Sequence, residues 1–349
     1  MKKLIALTLA LALAFTLCAC GKKAEETPQT PAAPAESKGL VIGVLSLLNM
    51  TEEEYLAKEN GKIIGLKYLA EQGVYESVKD VSKMPELSGV IFYDTLDAML
   101  MALEAGDITS AELPQCVADY LCARNDRLTT RGSFDLSSAD DFTKQVAYRI
   151  GVGFSFLTTE DKTALRDELD SALTEMKADG TLDALVQTYI TDAVGGEPEP
   201  VEFTKTDGET IRVAVTGALP PMDFVAADGT PAGFNTAILA ELGRRMNKNF
   251  ELVQVDSLGR AAALASGQVD LVFWTSGDDG RDPGGNQTAE NHADYVAEQQ
   301  QSGNEERIAL MRALGGGIDH VKTQNKDIPD GTITTQPYFS DLLIPVALK

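Results

Sequence analysis

Two stretches of the sequence share one pattern, and that repetition limits the fold more than any other feature. Asp94-Thr95-Leu96 leads through an apolar run to Leu103, Gly106 and Ile108; Asp256-Ser257-Leu258 leads to Leu264, Gly267 and Val269, one residue shorter. In each, an Asp or hydroxyl residue can cap a helix, a Gly can close it, and the following apolar residues can re-enter a sheet. Leu40–Leu45 and Ile211–Val215 are short β-branched runs that also lead into helical patterns. Thr51 with Glu54 forms a capping box after the first, and Gly233–Met246 carries apolar residues at helical spacing after the second. Strand and helix alternate in both halves, so the fold class is α/β with two similar lobes.

The segments outside the lobes are set by composition. Lys2 and Lys3 precede an apolar or hydroxylated run from Leu4 to Leu17, which reads as a signal peptide. Its helical length of about 21 Å falls short of a hydrocarbon core of roughly 30 Å. Leu17-Cys18-Ala19-Cys20-Gly21 resembles a lipobox, which makes Cys20 the lipidation site and residues 1–20 the leader. Residues 21–38, with Pro28, Pro31 and Pro34 and no apolar periodicity, read as a disordered tether. Residues 191–210, with Gly195-Gly196 and Pro198-Glu199-Pro200, read as a linker between the halves. The expected organisation is therefore an α/β lobe at 39–155, closing helices at 156–190, the linker, and a second α/β lobe at 211–349 with a polar insertion at 277–331. A helix capped by Asn304 is expected over Glu305–Leu314.

Without Lys2 and Lys3 the chain carries 28 basic against 53 acidic residues, a formal charge of about −25. That field disfavours nucleic acid as a partner. Of the 4 cysteines, Cys18 and Cys20 belong to the leader, and Cys116 and Cys122 would lie about 120° apart on a helix, so no disulfide framework is expected. His292 and His320 have no neighbours at metal-ligand spacing, and no nucleophile elbow, phosphate loop or dinucleotide fingerprint occurs. No metal, cofactor or catalytic residue is expected.

The run Ile211-Arg-Val-Ala-Val-Thr-Gly-Ala-Leu-Pro-Pro-Met-Asp-Phe-Val-Ala-Ala-Asp-Gly-Thr-Pro-Ala-Gly-Phe-Asn resembles the opening of the family 3 extracellular solute-binding proteins, the amino-acid-binding components of ABC importers. Phe250–Trp274, with Ala-Leu-Ala-Ser-Gly-Gln-Val-Asp-Leu at 263–271, and Gln336-Pro-Tyr-Phe-Ser-Asp resemble later parts of the same lobe. Asp94–Ala123 is similar to the family's second lobe, and Thr163–Ile190, with Ala-Asp-Gly-Thr-Leu-Asp at 178–183, to its closing helix pair. The resemblance implies a two-lobed, type II periplasmic-binding-protein-like fold with a ligand between the lobes. It also implies a small-molecule ligand of the amino-acid type, an ABC permease as partner, a lipid-anchored position outside the cell membrane, and a monomer. The order of the pieces is that of a circular permutation, because the second-lobe and closing-helix pieces come first.

Ligands of open α/β sheets sit beyond the carboxyl ends of the strands. The candidate ligand-binding residues are therefore Thr216, Met222, Asp223 and Phe224 after the first strand of the second half, and Trp274, Thr275 and Ser276 after the third. Trp274, the only tryptophan, either stacks on a ligand or caps the core. The resemblance implies an arginine forking a ligand carboxylate, and Arg281 is the nearest candidate, though the acids beside it make a solvated loop arginine equally consistent. In the first half Glu112 is the nearest carboxylate for an amino group, and Asn49 can donate from a helix start or serve a turn. Two rival functions remain: an enzyme of the same fold using a cleft carboxylate, and a receptor domain that signals without transport.

Overall fold

Short β-branched runs become strands, and the capped apolar stretches between them become helices. The computed structural model describes residues 39–45, 52–76, 87–196, 200–226, 229–257, 259–277, 305–313 and 329–349. The leader, Cys20, the tether, Asn49, Thr51, Arg281, His292, His320 and most of the 277–331 stretch lie outside them.

The first half runs β1 (Leu40–Leu45), α1 (Glu52–Glu71), β2 (Tyr75–Glu76), β3 (Leu87–Tyr93), α2 (Leu96–Ala105), β4 (Ser110–Pro114), α3 (Gln115–Arg124), β5 (Leu128–Thr130), β6 (Ser133–Phe134) and α4 (Asp141–Arg149). A long strand β7 (Gly151–Thr159) leads to α5 (Thr163–Ala178), α6 (Thr181–Val186) and a run of π and 3₁₀ turns to Val194. The second half runs β8 (Thr210–Val215), β9 (Ala218–Leu219), β10 (Asp223–Val225), β11 (Pro231–Ala232), α7 (Phe234–Met246), β12 (Asn249–Gln254), α8 (Gly259–Ala265), β13 (Leu271–Gly277), α9 (Glu305–Ala313), β14 (Thr332–Thr334) and β15 (Phe339–Leu348). The helix expected at Glu305–Leu314 is thus present as α9.

The strand order is mirrored. In the first half it is β3-β1-β4-β15, with β5 also on β15; in the second it is β12-β8-β13-β7, with β14 also on β7. Within each half the three strands from that half are parallel, and the fourth runs antiparallel to them. Each fourth strand comes from the other half of the chain. They cross where β15 pairs with β7, from Phe339 opposite Phe154 to Leu342 opposite Gly151. Beyond the paired starts of these two strands, β7 continues along β13 and β15 along β4, so the crossing ties the two half-sheets together through paired backbone.

The repeated caps form as their sequence requires. Thr95 Oγ1 accepts from the Ala98 N–H at 3.1 Å, and Gly106, at φ 78°, turns its N–H back onto Ala102 and Leu103. Asp256 Oδ1 accepts from the Gly259 N–H at the start of α8.

The core continues through the crossing. Phe154, Phe156, Phe234 and Tyr338 pack in one cluster, with Phe156 and Tyr338 rings 5.0 Å apart. Leu169, Ala172, Leu173 and Met176 of α5 bury into the same cluster, with Leu165 packed at its margin. The helix that carries this stripe lies against α7 and β14 of the second half and against β7, the first-half strand that joins the second half-sheet. Cys116 is buried and Cys122 half-buried on α3, and both are free thiols. At the end of α3, Arg124 donates to the carbonyls of Ala193, Val194 and Gly196 and lies 3.5 Å from the centre of the Tyr120 ring. This clamp satisfies the last carbonyls of the turns that follow α6.

Candidate ligand-binding cleft

Parallel strands that share a direction also share a carboxyl end, and in this fold the ends from both halves converge on one cleft. Its walls carry Leu45 at the end of β1 and Asp94, Thr95 and Leu96 after β3, all from the first half. The second half contributes Thr216 after β8, Val255, Asp256 and Ser257 after β12, Arg260 of α8, Trp274 and Thr275 of β13, and Asn235 at the start of α7. Phe154 of β7 forms part of the same lining. About half of the lining is apolar and the rest polar or charged, a mixture suited to a small polar molecule.

The expected residues divide. Thr216, Asp223, Trp274 and Thr275 line the cleft. Asp223 is buried, and its Oδ2 accepts from the N–H groups of Thr216 and Gly217, each at 3.1 Å. Burial pushes its carboxyl above the ordinary range, opposed by those two N–H groups and by the charge of Arg260. Trp274 is 5% exposed and packs with Leu157, Leu264 and Val269; most of the indole is core, with part reaching the cleft wall. Thr275 is 6% exposed, and its Oγ1 has no hydrogen-bond partner. A buried hydroxyl without a partner is uncommon and asks for one.

Met222 and Phe224 lie behind the cleft. Met222 is fully buried, its sulfur 3.7 Å from the Cys116 thiol, and the Phe224 ring faces Tyr120 at 6.3 Å. Ser276 stands opposite Gly153 in the β13–β7 ladder, and its side chain lies outside the described residues, as do Asn49 and Arg281. Glu112 sits on β4 opposite Val44 and Pro345, and its carboxylate pairs with Lys62 of α1. It is not among the residues lining the cleft.

Arg260, Asp94, Thr95, Asp256, Ser257 and Asn235 were missed as cleft residues. The signal for four of them was present, since Asp94-Thr95 and Asp256-Ser257 open the two repeats. A helix cap that follows a parallel strand is at the strand's carboxyl end, so the cap and the cleft wall are the same place. Arg260 carried no such signal, standing in an alanine-rich helical run. It is 5% exposed, with Nε on the Ser257 carbonyl at 3.1 Å, Nη1 on the Phe273 carbonyl at 2.8 Å, and its guanidinium 5.5 Å from the Trp274 ring centre. Burial holds this guanidinium below its ordinary pKa, opposed by the charge of Asp223.

Among the described residues no group of three His, Cys, Asp or Glu side chains could hold a metal ion. Among the same residues no helix is long and apolar enough to cross a membrane.

Residues 211–279 match the bacterial extracellular solute-binding proteins, family 3. No curated protein matches the sequence. Among solved structures, NikA from Staphylococcus aureus in complex with Ni(L-His)2 is 11% identical, with 74% of this chain and 57% of that one covered at a TM-score of 0.34. AgaA from A. tumefaciens R10 in complex with agropinic acid is 13% identical, covering 80% of this chain and 60% of that one at a TM-score of 0.35. The periplasmic aliphatic sulphonate binding protein SsuA from Escherichia coli is 14% identical, covering 85% of each chain at a TM-score of 0.28. The chain thus spans 57% and 60% of the first two structures. The stretch that matches the family 3 bacterial extracellular solute-binding proteins, residues 211–279, includes β8, α7, β12, α8 and β13 and with them the second-half residues of the cleft.

Proposed function

We propose that this protein is an extracytoplasmic solute-binding protein that captures a small polar ligand of the amino-acid type between its two half-sheets and delivers it to an ABC permease. The observation that carries the reading is the cleft itself, lined by strand ends of both halves and built around the segment that matches the family. A ligand bridging the two walls stabilises whichever arrangement brings them together, so capture needs no covalent chemistry. Thermal-shift screening against amino acids, polyamines and small peptides tests this, because a compound that binds only the native state raises its apparent stability. A chain whose melting is unmoved by every compound would not be a solute receptor of this class.

The family order of the pieces supports a circular permutation, in which the 191–210 linker bridges the ends of an unpermuted chain. Under this reading β15 and β7 are the two crossing strands of the family fold, and α5 closes on the half that it covers in the unpermuted order.

The lipobox reading supports attachment through Cys20 to the outer face of the cell membrane, since two or more acyl chains give stable anchoring. Cys20→Ser is expected to leave the protein unprocessed or released into the medium, as read by fractionation and intact mass. A mature, membrane-bound variant indistinguishable from wild type would sink the anchor.

One observation favours a second reading, an enzyme using a cleft carboxylate, namely the raised pKa of Asp223. Against it, the carboxylate is occupied by two backbone N–H groups that fix the turn after β8. Turnover of any bound compound that Asp223→Asn abolishes, with binding retained, would favour the enzyme.

A further inference from the structure

The two half-sheets are mirrored, but their contributions to the cleft are not. In the orders β3-β1-β4 and β12-β8-β13 each strand of the first half has a counterpart in the second. The cleft takes residues from the ends of β1, β3, β8, β12 and β13; among the described residues it takes none from β4 or from α3, which follows β4 directly. Yet β4 is parallel to β1, so its carboxyl end points the same way as the ends that do line the cleft. Another group therefore occupies the place beyond β4.

That group is Met222, contributed by the second half. It stands between Leu219 and Asp223, which both line the cleft. Its backbone is held on both sides, the N–H donating to the Leu219 carbonyl at 2.8 Å and the carbonyl accepting from the Asn235 N–H at 2.8 Å. Its side chain is fully buried and meets α3 of the first half, where the Cys116 thiol donates to Sδ at 3.7 Å. Cys116 is fixed in turn, because its N–H donates to Asp341 of the crossing strand β15. One turn further along α3, the Tyr120 ring meets that of Phe224. An unbranched thioether chain suits such a gap, since it can follow an irregular wall. The space left for a ligand is about 120 Å³, against roughly 300 Å³ or more in the usual small-molecule site, so one wall residue is enough to change what fits.

We propose that Met222 seals the end of β4 off from the cleft and so limits the length of the ligand chain that the cleft accepts. This rests on the solute-binding reading above and adds a size limit to it. A shorter side chain at position 222 would leave a cavity between the cleft and Cys116, and a longer ligand could extend into it.

Two measurements on the whole mature chain compare wild type with Met222→Ala; Met222→Val, a smaller truncation, replaces it should the alanine variant fail to fold. The first is alkylation by iodoacetamide, read at each cysteine by peptide mass. In wild type Cys116 should react slowly, being buried with its thiol pKa pushed up by that burial. In the variant Cys116 should react about 10-fold faster or more, at a rate that low urea does not change, while Cys122 on the same helix reacts as before. Equal rates at Cys116 in the two proteins, or a faster rate that climbs with urea as unfolding does, mean that Met222 is ordinary core and no seal. The second is calorimetry with straight-chain α-amino acids from glycine to 2-aminooctanoate. The first member too long for wild type should gain about 10-fold or more in affinity in the variant, since one methylene in a closed pocket discriminates on that order. A variant that accepts only the lengths accepted by wild type overturns the proposal and leaves the solute-binding reading standing. If wild type binds no member of the series, the amino-acid reading falls and the length limit falls with it.

Discussion

Asp341 stands on β15 within the crossing, opposite Val152 of β7, and it is held by one amide group of α3 and one of its own strand. Its Oδ2 accepts from the Cys116 N–H at 2.8 Å and its Oδ1 from the Leu342 N–H at 2.9 Å. The first of these bonds caps α3, where Pro114 offers no side-chain cap. Full burial pushes its carboxyl up to about 6, against the pull of the Cys116 and Leu342 amides and with a further push from Asp119. The unfolded value lies near 3.9. A folded pKa above the unfolded one means that the native state binds the extra proton between the two values, so this group's contribution to stability is complete below about pH 4 and is lost as pH rises through 6. The loss amounts to about 3 kcal/mol at one pKa unit per 1.36 kcal/mol. Asp341→Asn, which cannot ionise, should therefore gain stability relative to wild type between pH 4 and pH 7 in denaturant melts. A difference between the two proteins that stays constant over that range would show that the carboxyl titrates as an ordinary surface acid.

Glu112 illustrates why residue roles were only partly legible. As a carboxylate on a strand it read as a ligand group, but pairing with the buried Lys62, contributed by a helix some fifty positions earlier, is a non-local fact that no local pattern contains. Glu112→Gln should lower stability by about 3 kcal/mol, because a buried cation loses its counter-charge; unfolding in urea measures it. An unchanged midpoint would mean that Lys62 finds another partner. The cap residues Asp94-Thr95 and Asp256-Ser257 were legible as structure, and their position on the cleft follows from where parallel strands end.

At the scale of elements, the features that local sequence dictates are the ones that appear. The β-branched runs form β1 and β8, the glycine-closed repeats form α2 and α8, and the α5 stripe buries as a helix face should. The crossing strands were less visible. Residues 151–159 mix Val152, Phe154, Phe156 and Leu157 with Gly, Ser and Thr and are buried on both faces, whereas 339–348 is buried at alternate positions along its middle, and which half-sheet each joins is decided by long-range pairing. The expected boundary at 155 accordingly falls inside β7. One turn does depend on a single residue. Gly233 before α7 has φ 103° and ψ 174°, a region open in practice only to glycine. A Cβ there would stand 2.6 Å from the carbonyl oxygens of both Pro221 and Met222. Gly233→Ala should cost about 3 kcal/mol, the upper end of such strain, with backbone movement at the Thr216–Asp223 turn. A loss below about 1 kcal/mol in denaturant unfolding would mean that the turn relaxes freely.

For the whole molecule, the question is whether the two halves complete each other within one chain. β7, which precedes the linker, forms ladders with β13, β14 and β15, and α5 and α6 pack on α7. The second half is therefore built from both sides of the linker. Residues 211–349 alone would lack β7, α5 and α6, uncovering Phe234, Leu239, Leu242, Phe273 and Tyr338, all buried in the shared cluster. Exposed apolar area of this kind, beside the unpaired edge of β13, favours association. The fragment 211–349 is expected to aggregate or to bind hydrophobic dye strongly, while the mature chain sediments as a monomer. Supplying residues 150–210 in trans should restore a soluble complex, because that segment carries β7, α5 and α6. A fragment 211–349 that folds cooperatively by itself would refute the single-chain permutation. A mature chain that sediments as a dimer, and unfolds at a concentration-dependent midpoint, would point instead to two incomplete modules completed by exchange between chains.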